Sequence, residues 1–285
     1  MFISSPDSAC AQTAATTLII AGFECGRLHW NGHDLLQSTN HLPDGAMAHH
    51  YRVAAEEGAA GARDGLSWRH DIAARIGAVP EGFPVMWDLV HFDAPPRPVQ
   101  HAVACCAALP PDSWVIAVNE PSVGRRVSGL IPSRATQMAL RMMATAACLP
   151  SRPRFATCDP FHHLHPGVFK ATDKLVASGH VQMVGVNYYP HHAVEPLHRV
   201  LRAVADRYRL PVMITETGWH DGLPEAQRRF PHVRDRWGWL AHVKAEIERS
   251  EVPVAGLCWY PWLDMPSWDG PHHGRWPCGW PGRQA

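Results

Sequence analysis

The chain has 285 residues and balances 26 Lys and Arg against 26 Asp and Glu. It therefore lacks the one-signed field that gathers nucleic acid, an anionic membrane or a polyanionic substrate, and suits a neutral or modestly charged ligand. Its eight cysteines form no Cys-x-x-Cys pair, and several stand in apolar runs where Cys acts as a small hydrophobe, which predicts reduced thiols in a cytosolic protein. The first residues lack the basic segment of a secretory signal, and the apolar run from Thr17 to Phe23 is too short to cross a bilayer, so neither secretion nor membrane anchoring is expected.

Thr17 to Cys25 is the first of eight short apolar or β-branched runs that read as strands. A long polar loop from Gly26 to Leu42 follows, carrying Arg27, His29, Trp30, Asn31, Asp34 and His41. A helical segment from Gly45 to Glu57 leads to the second run, Ala59 to Asp64. Ser67 to Phe83 leaves room only for a short helix before the third, Pro84 to Phe92. Then come helix Val99 to Leu109, strand Trp114 to Asn119, helix Ser133 to Cys148, strand Arg154 to Cys158 and helix Val168 to Ser178. The pattern continues with strand Met183 to Tyr188, helix Leu197 to Arg209, strand Pro211 to Thr215, helix Trp237 to Ser250 and strand Val254 to Tyr260. Met265 to Ala285 is a tail rich in Trp and His. Ser133 can cap the helix it opens, and Gly58 and Gly179 sit where a left-handed residue would end one.

Strand and helix in alternation require parallel strands joined by crossovers, and eight such strands close into a barrel. The alternative is an open doubly wound sheet, but its Gly-x-Gly-x-x-Gly turn is missing after the first run, where Ala-Gly-Phe-Glu-Cys-Gly stands. The expected fold is α/β: a single (β/α)8 TIM barrel over residues 1–285, with the loop at 26–42 and the tail at 265–285 near its mouth.

Parallel strands would bring Glu24, Arg63, His91, Asn119, Glu120, Asp159, Asn187, Tyr188, Glu216 and Trp259 to one rim. Glu120, in Trp-Val-Ile-Ala-Val-Asn-Glu-Pro, ends the fourth run, and Glu216, in Pro-Val-Met-Ile-Thr-Glu-Thr-Gly-Trp, ends the seventh. Two carboxyls facing each other across a barrel mouth suit acid/base and nucleophilic work on one bond. The 12 tryptophans add flat apolar faces of the kind that stack on sugars.

Val-Asn-Glu-Pro, Ile-Thr-Glu-Thr-Gly-Trp, Val-Asn-Tyr-Tyr-Pro and Trp-Asp-Leu-Val-His-Phe-Asp resemble the strand-end signatures of glycoside hydrolase clan A, and of family 1 in particular, the β-glucosidase and β-galactosidase group. The likeness runs in order from Gly22-Phe23-Glu24-Cys25 through Ala62-Arg63-Asp64-Gly65-Leu66 to Tyr260-Pro261-Trp262-Leu263-Asp264. It implies a retaining β-glycosidase acting without a cofactor on a small carbohydrate, with Glu120 as acid/base and Glu216 as nucleophile. Retention needs the two carboxyls about 5 Å apart. The resemblance also implies that Arg63 and Tyr188 support the nucleophile, that Asn119 donates to the sugar 2-hydroxyl and that His91 meets a neighbouring hydroxyl. Glu24, Asp159, Asn187, Trp259 and Trp268 complete the expected substrate contacts.

Departures bear on the substrate. Glu24 stands where the family carries Gln and, as an anion, can only accept hydrogen bonds; Val118 replaces the usual Thr; and a shorter chain implies reduced rim loops and an open cleft. On the same scaffold transglycosylation and an inactive sugar-binding barrel are alternatives. Histidines at 161–165, 190–192 and 271–273 raise a metal-dependent hydrolase as a further one, but none has a zinc-motif spacing, so no metal is expected.

Overall fold

The computed structural model describes residues 17–23, 29–30, 33–34, 44–123, 131–220, 223–266, 275–276 and 279–281. Eight strands form the barrel: β1 (Ile19–Gly22), β2 (Ala62–Gly65), β3 (Val85–Asp88), β4 (Trp114–Ile116), β5 (Arg154–Pro160), β6 (Val181–Asn187), β7 (Val212–Thr217) and β8 (Val254–Trp259). Each pairs in parallel with its sequence neighbours, and β1 pairs with both β2 and β8, which closes the sheet. This is the (β/α)8 barrel and not the open sheet. Around it run α1 (Asp44–Glu56), α2 (Ile72–Gly77), α3 (Pro98–Ala108), α4 (Pro132–Ala146), α5 (Lys170–Ala177), α6 (Leu197–Tyr208), α7 (Pro224–Arg229) and α8 (Arg236–Ser250). Among the described residues no helix is long and apolar enough to cross a membrane.

Helix ends follow local chemistry. Gly58 and Gly179 have φ of 90° and 77° and end α1 and α5 as their sequence positions suggest. Ser133 is not a cap. Ile131 holds that position and Pro132 opens α4, where a missing N–H would have had no intrahelical partner anyway. The short α7, which begins the same way at Pro224, lies in a stretch where no helix was expected.

Alternation along each strand divides the apolar residues into two bodies. Ile20, Met86, Trp114, Ile116, Ala156, Cys158, Met183, Met213 and Cys258 point inward and plug the barrel. Their out-facing neighbours, among them Ala21, Trp87, Val115, Phe155, Val184, Ile214 and Leu257, join the larger core under the helices. A fully buried side chain of this size stabilises by roughly 1.5–3 kcal/mol, so the plug is a structural floor that leaves the strands' C-terminal mouth for chemistry.

The alternation slips near the N-terminal ends of β6 and β8, and once more in β7 at the barrel mouth, where the slip matters for chemistry. The register of β7 shifts against both neighbours, with Ile214 opposite Val186 and Leu257, then Glu216 opposite Asn187 and Thr217 opposite Trp259. Thr215 reaches inward to Asn187, Glu216 is inward too, and Thr217 points out, accepting from Trp239 Nε1 at 3.0 Å. A β-bulge therefore turns two consecutive side chains into the barrel. Gly185 on β6 makes the room: a Cβ there would lie 2.3 Å from the Thr157 carbonyl oxygen and 2.5 Å from Thr215 Cγ2.

Candidate active site

Glu216 emerges from the bulge into a set of donors. Arg63, inward on β2, donates through Nη1 to Glu216 Oε1 at 2.6 Å and to the Thr215 carbonyl at 2.9 Å. The Tyr189 hydroxyl donates to Glu216 Oε2 at 2.8 Å. Burial, and then the charge of Glu216, push the Tyr189 phenol well above its ordinary range, so it remains a donor. Each oxygen of Glu216 thus has its own partner, and the carboxylate has a fixed orientation.

Arg63 is itself locked. Its Nε and Nη2 grip Asp88 at 3.1 and 2.7 Å, the fork geometry that suits guanidinium to carboxylate, and Nη2 also donates to Asn119 Oδ1 at 2.9 Å. Burial disfavours the Asp88 anion, yet Arg63 and His91 outweigh it and hold this carboxyl below its usual range. Because Asn119 Oδ1 accepts from Arg63, its Nδ2 must be the group 3.0 Å from His91 Nε2, which leaves His91 Nδ1–H to donate to Asp88 Oδ2 at 2.9 Å. Both ring nitrogens of His91 are thereby engaged by protein, so His91 orients Asn119 and does not offer a nitrogen to a hydroxyl. Asn119 retains a second amide hydrogen for a ligand.

Glu120 sits at φ 45°, in the left-handed region, just past β4, with its amide donating to the Cys158 carbonyl at 2.8 Å. Asn187 Nδ2 donates to Glu120 Oε1 at 2.8 Å. The Asn187 oxygen accepts from Thr215 at 2.8 Å, and the Cys158 thiol lies 3.0 Å from it and 2.9 Å from Asn119 Oδ1. Asn187, expected against substrate, is instead committed to the acid. Burial, then the charge of Glu216, raise Glu120 to about 8, with Asn187 and His91 opposing. Glu120 is therefore protonated at neutral pH, and because Oε1 accepts from an N–H, the proton resides on Oε2.

Three expectations are corrected by the strand pleat. Tyr188 does not reach Glu216: one residue past inward Asn187, it points outward, stacks on Trp239 at 6.3 Å and donates to the Glu195 carbonyl at 2.6 Å. Tyr189, next in phase, takes the role. Trp259 follows inward Cys258 and so also faces out, fully buried and 5.8 Å from Trp280. The aromatic that follows it, Tyr260, stacks over His91 at 6.4 Å. Asp159 follows inward Cys158 and, facing out, accepts from Thr172 at 2.8 Å and from the Ser122 amide at 3.1 Å. It braces the turn after Glu120, and burial raises it to about 6. Glu24 and Trp268 lie outside the described residues.

Beside Tyr189 the loops after β5, β6 and β7 gather histidines. The His191 ring is 5.6 Å from Tyr189, 4.1 Å from His192 and 6.0 Å from His220, while His162 is 5.2 Å from His192. Burial, with repulsion from neighbouring imidazoles and Arg229, lowers His162 to about 3 and His191 to about 2; burial alone lowers His220 to about 4. Among the described residues no three His, Cys, Asp or Glu are arranged to hold a metal ion.

Neither a protein-family model nor a curated protein matches the sequence. Solved structures do match. The chain is similar to the β-glycosidase of Thermosphaera aggregans at TM-score 0.66 and 13% identity, over 91% of this chain and 90% of that one. It is similar to the family 1 β-glucosidase of Thermotoga maritima at 0.59 and 12%, over 91% of each chain. The GH53 catalytic domain of Ignisphaera aggregans gives 0.57 and 13%, over 84% of this chain and 81% of that one. What the chain shares with all three is one architecture, the (β/α)8 barrel.

Proposed function

We propose that this protein is a retaining β-glycosidase that works by double displacement. One observation carries the reading: a carboxylate fixed by Arg63 and Tyr189 shares a barrel mouth with a second carboxyl that its charge helps to keep protonated. Glu216 attacks the anomeric carbon while Glu120 passes its Oε2 proton to the departing glycosidic oxygen. The new ester neutralises Glu216, the Glu120 anion loses its repulsive neighbour, and its pKa falls. Glu120 then takes a proton from water as that water attacks the anomeric carbon and releases the sugar. A carboxyl spacing of about 5 Å belongs to this mechanism.

Around the pair, Arg63, gripped by Asp88, orients the nucleophile, Asn119 offers its second amide hydrogen to the sugar, and Asn187 selects the oxygen of Glu120 that carries the proton. The likeness in fold to β-glycosidases supports the class of reaction. The free thiols Cys105, Cys106, Cys148, Cys158 and Cys258 suit a reducing compartment, which fits work in the cytosol. The test is a 2-deoxy-2-fluoro aryl glycoside: mass spectrometry should find one sugar on Glu216. Glu216→Ala should be inactive until azide is added and then release a glycosyl azide of inverted configuration. Labelling elsewhere, or an active Glu216→Ala enzyme without azide, would end this reading.

A further inference from the structure

The histidine corner takes no part in the mechanism above, and its composition is unusual. His162 follows β5, His191 and His192 follow β6, and Arg229 closes α7 with Nη1 donating to the Ala193 carbonyl. The Val194 and Glu195 amides both donate to the His162 carbonyl, at 2.8 and 3.1 Å, so the first two loops form one platform. His162 and His191 are partly exposed, and each buries Nδ1 without a hydrogen-bond partner. A buried N–H with no acceptor is rarer than a buried lone pair with no donor, so the ring proton of each sits on Nε2, the nitrogen on the solvent side. The platform therefore presents N–H donors beside a guanidinium.

No acid among the described residues balances that charge. Among the described residues Arg229 makes no ion pair, and the carboxylates near Tyr188 are engaged elsewhere: Glu195 with Arg199 at 2.7 Å and Glu246 with His198 at 2.7 Å. A cation would meet Arg229, and the corner lacks a metal-ligand arrangement. Donors and positive charge without a counter-ion suit an oxyanion. Position adds to this: His191 packs on Tyr189, whose hydroxyl holds Glu216, so a single residue separates the corner from the nucleophile.

The geometry points to an anion subsite: the saccharide cleaved here carries a phosphate, sulfate or carboxylate group seated on His162, His191, His192 and Arg229. This rests on the glycosidase reading above for the word cleaved, but not for the binding. Matched aryl β-glycosides in neutral, 6-phosphorylated, 6-sulfated and uronic acid forms, assayed on the full chain, identify the group. One anionic form should exceed its neutral parent in kcat/KM by about tenfold or more, and that ratio should fall about tenfold in Arg229→Ala and recover in part in Arg229→Lys. His192→Gln provides a second variant should Arg229→Ala unfold. A parent enzyme that prefers the neutral glycoside, or a ratio indifferent to these variants, overturns the proposal.

Failure of the glycosidase reading is separable from failure of the subsite. Inorganic phosphate, inorganic sulfate and free glucuronate are titrated into the unaltered protein while histidine ring signals are followed by NMR. Saturable shifts of His162, His191 and His192 sustain the subsite even when no glycoside is cleaved. Unmoved rings with all three anions overturn it whatever the enzyme hydrolyses.

Discussion

Replacing Glu216 by Gln removes a charge and little volume, and it should change the titration of a residue 96 positions away in the chain. Glu120 is raised from 4.5 to about 8, a difference of about 5 kcal/mol between its protonation states, trimmed by solvent because the side chain is partly exposed. At the ~5 Å spacing of a retaining pair and an effective dielectric of about 20, one unit charge accounts for roughly 3 kcal/mol, or about 2 pKa units. Burial supplies a larger part, offset by Asn187 and His91. In Glu216→Gln the Glu120 carboxyl should therefore titrate about 2 units lower, near 6, which is also the drop that turns it from acid to base once the glycosyl ester forms. Carboxyl 13C NMR of glutamate-labelled protein, assigned with Glu120→Gln, reads this directly. If the Glu120 signal titrates within about half a unit of its parent value, the two carboxyls do not share a site and the mechanism is refuted.

Tyr189→Phe should lower kcat by roughly 10- to 100-fold, the worth of a hydrogen bond to a charged group, whereas Tyr188→Phe should stay within about threefold; steady-state kinetics showing the reverse order would restore the role to Tyr188. Arg63→Met strands the buried Asp88 and should destabilise by about 3–5 kcal/mol, or about 10 °C in Tm, and an unchanged melting curve would mean the clamp is not structural. His162, His191 and His220 prefer the neutral form in the fold, at about 3, 2 and 4 against an ordinary 6.5. The stability they lend is complete above about pH 6.5 and is lost as pH falls through those folded values, because the unfolded chain takes up protons first. Urea midpoints at pH 7.5 and 4.5 should converge in a His191→Phe, His220→Phe variant relative to the parent; equal losses in both proteins would count against the buried histidines.

The strand count and the two glutamates were legible because each strand is a short apolar run and each glutamate closes one in a distinctive motif. Pleat phase was harder. Asn187 is inward, so parity alone sends Tyr188 out and Tyr189 in, and the doublet Tyr-Tyr hid a choice that a strict count of two would have made. Asp159 and Trp259 fall out of the site for the same reason, each next to an inward cysteine that composition marks only as a small hydrophobe. Asp88 lies inside Trp-Asp-Leu-Val-His-Phe-Asp with nothing in its neighbours to mark it as the carboxylate that a buried arginine such as Arg63 demands. The bulge in β7 carries no sequence mark of its own, because Ile-Thr-Glu-Thr reads as a regular strand. Two loops of the histidine corner, 161–165 and 190–192, stand out in the sequence, but His220 and Arg229 carry no motif, and only the pairing of β5, β6 and β7 makes them one place; the third histidine cluster, 271–273, lies outside the described residues.

The surplus residue in β7 makes the nucleophile's aim a matter of arithmetic and not of chemistry. Side-chain scanning along that strand would leave Glu216 pointing where it does, whatever the effect on packing. Were the bulge ironed out with every residue kept, Thr215 would point in and Glu216 would turn toward the helices, whereas removing Thr215 outright would leave Glu216 inward opposite Asn187 and cost only the hydroxyl that supports Asn187. One motif string can therefore aim the carboxylate to either face according to whether the bulge forms, so the residues that accommodate it, Gly185 and Asn187, deserve as much weight as the glutamate itself when relatives of this protein are sorted into active and silent forms.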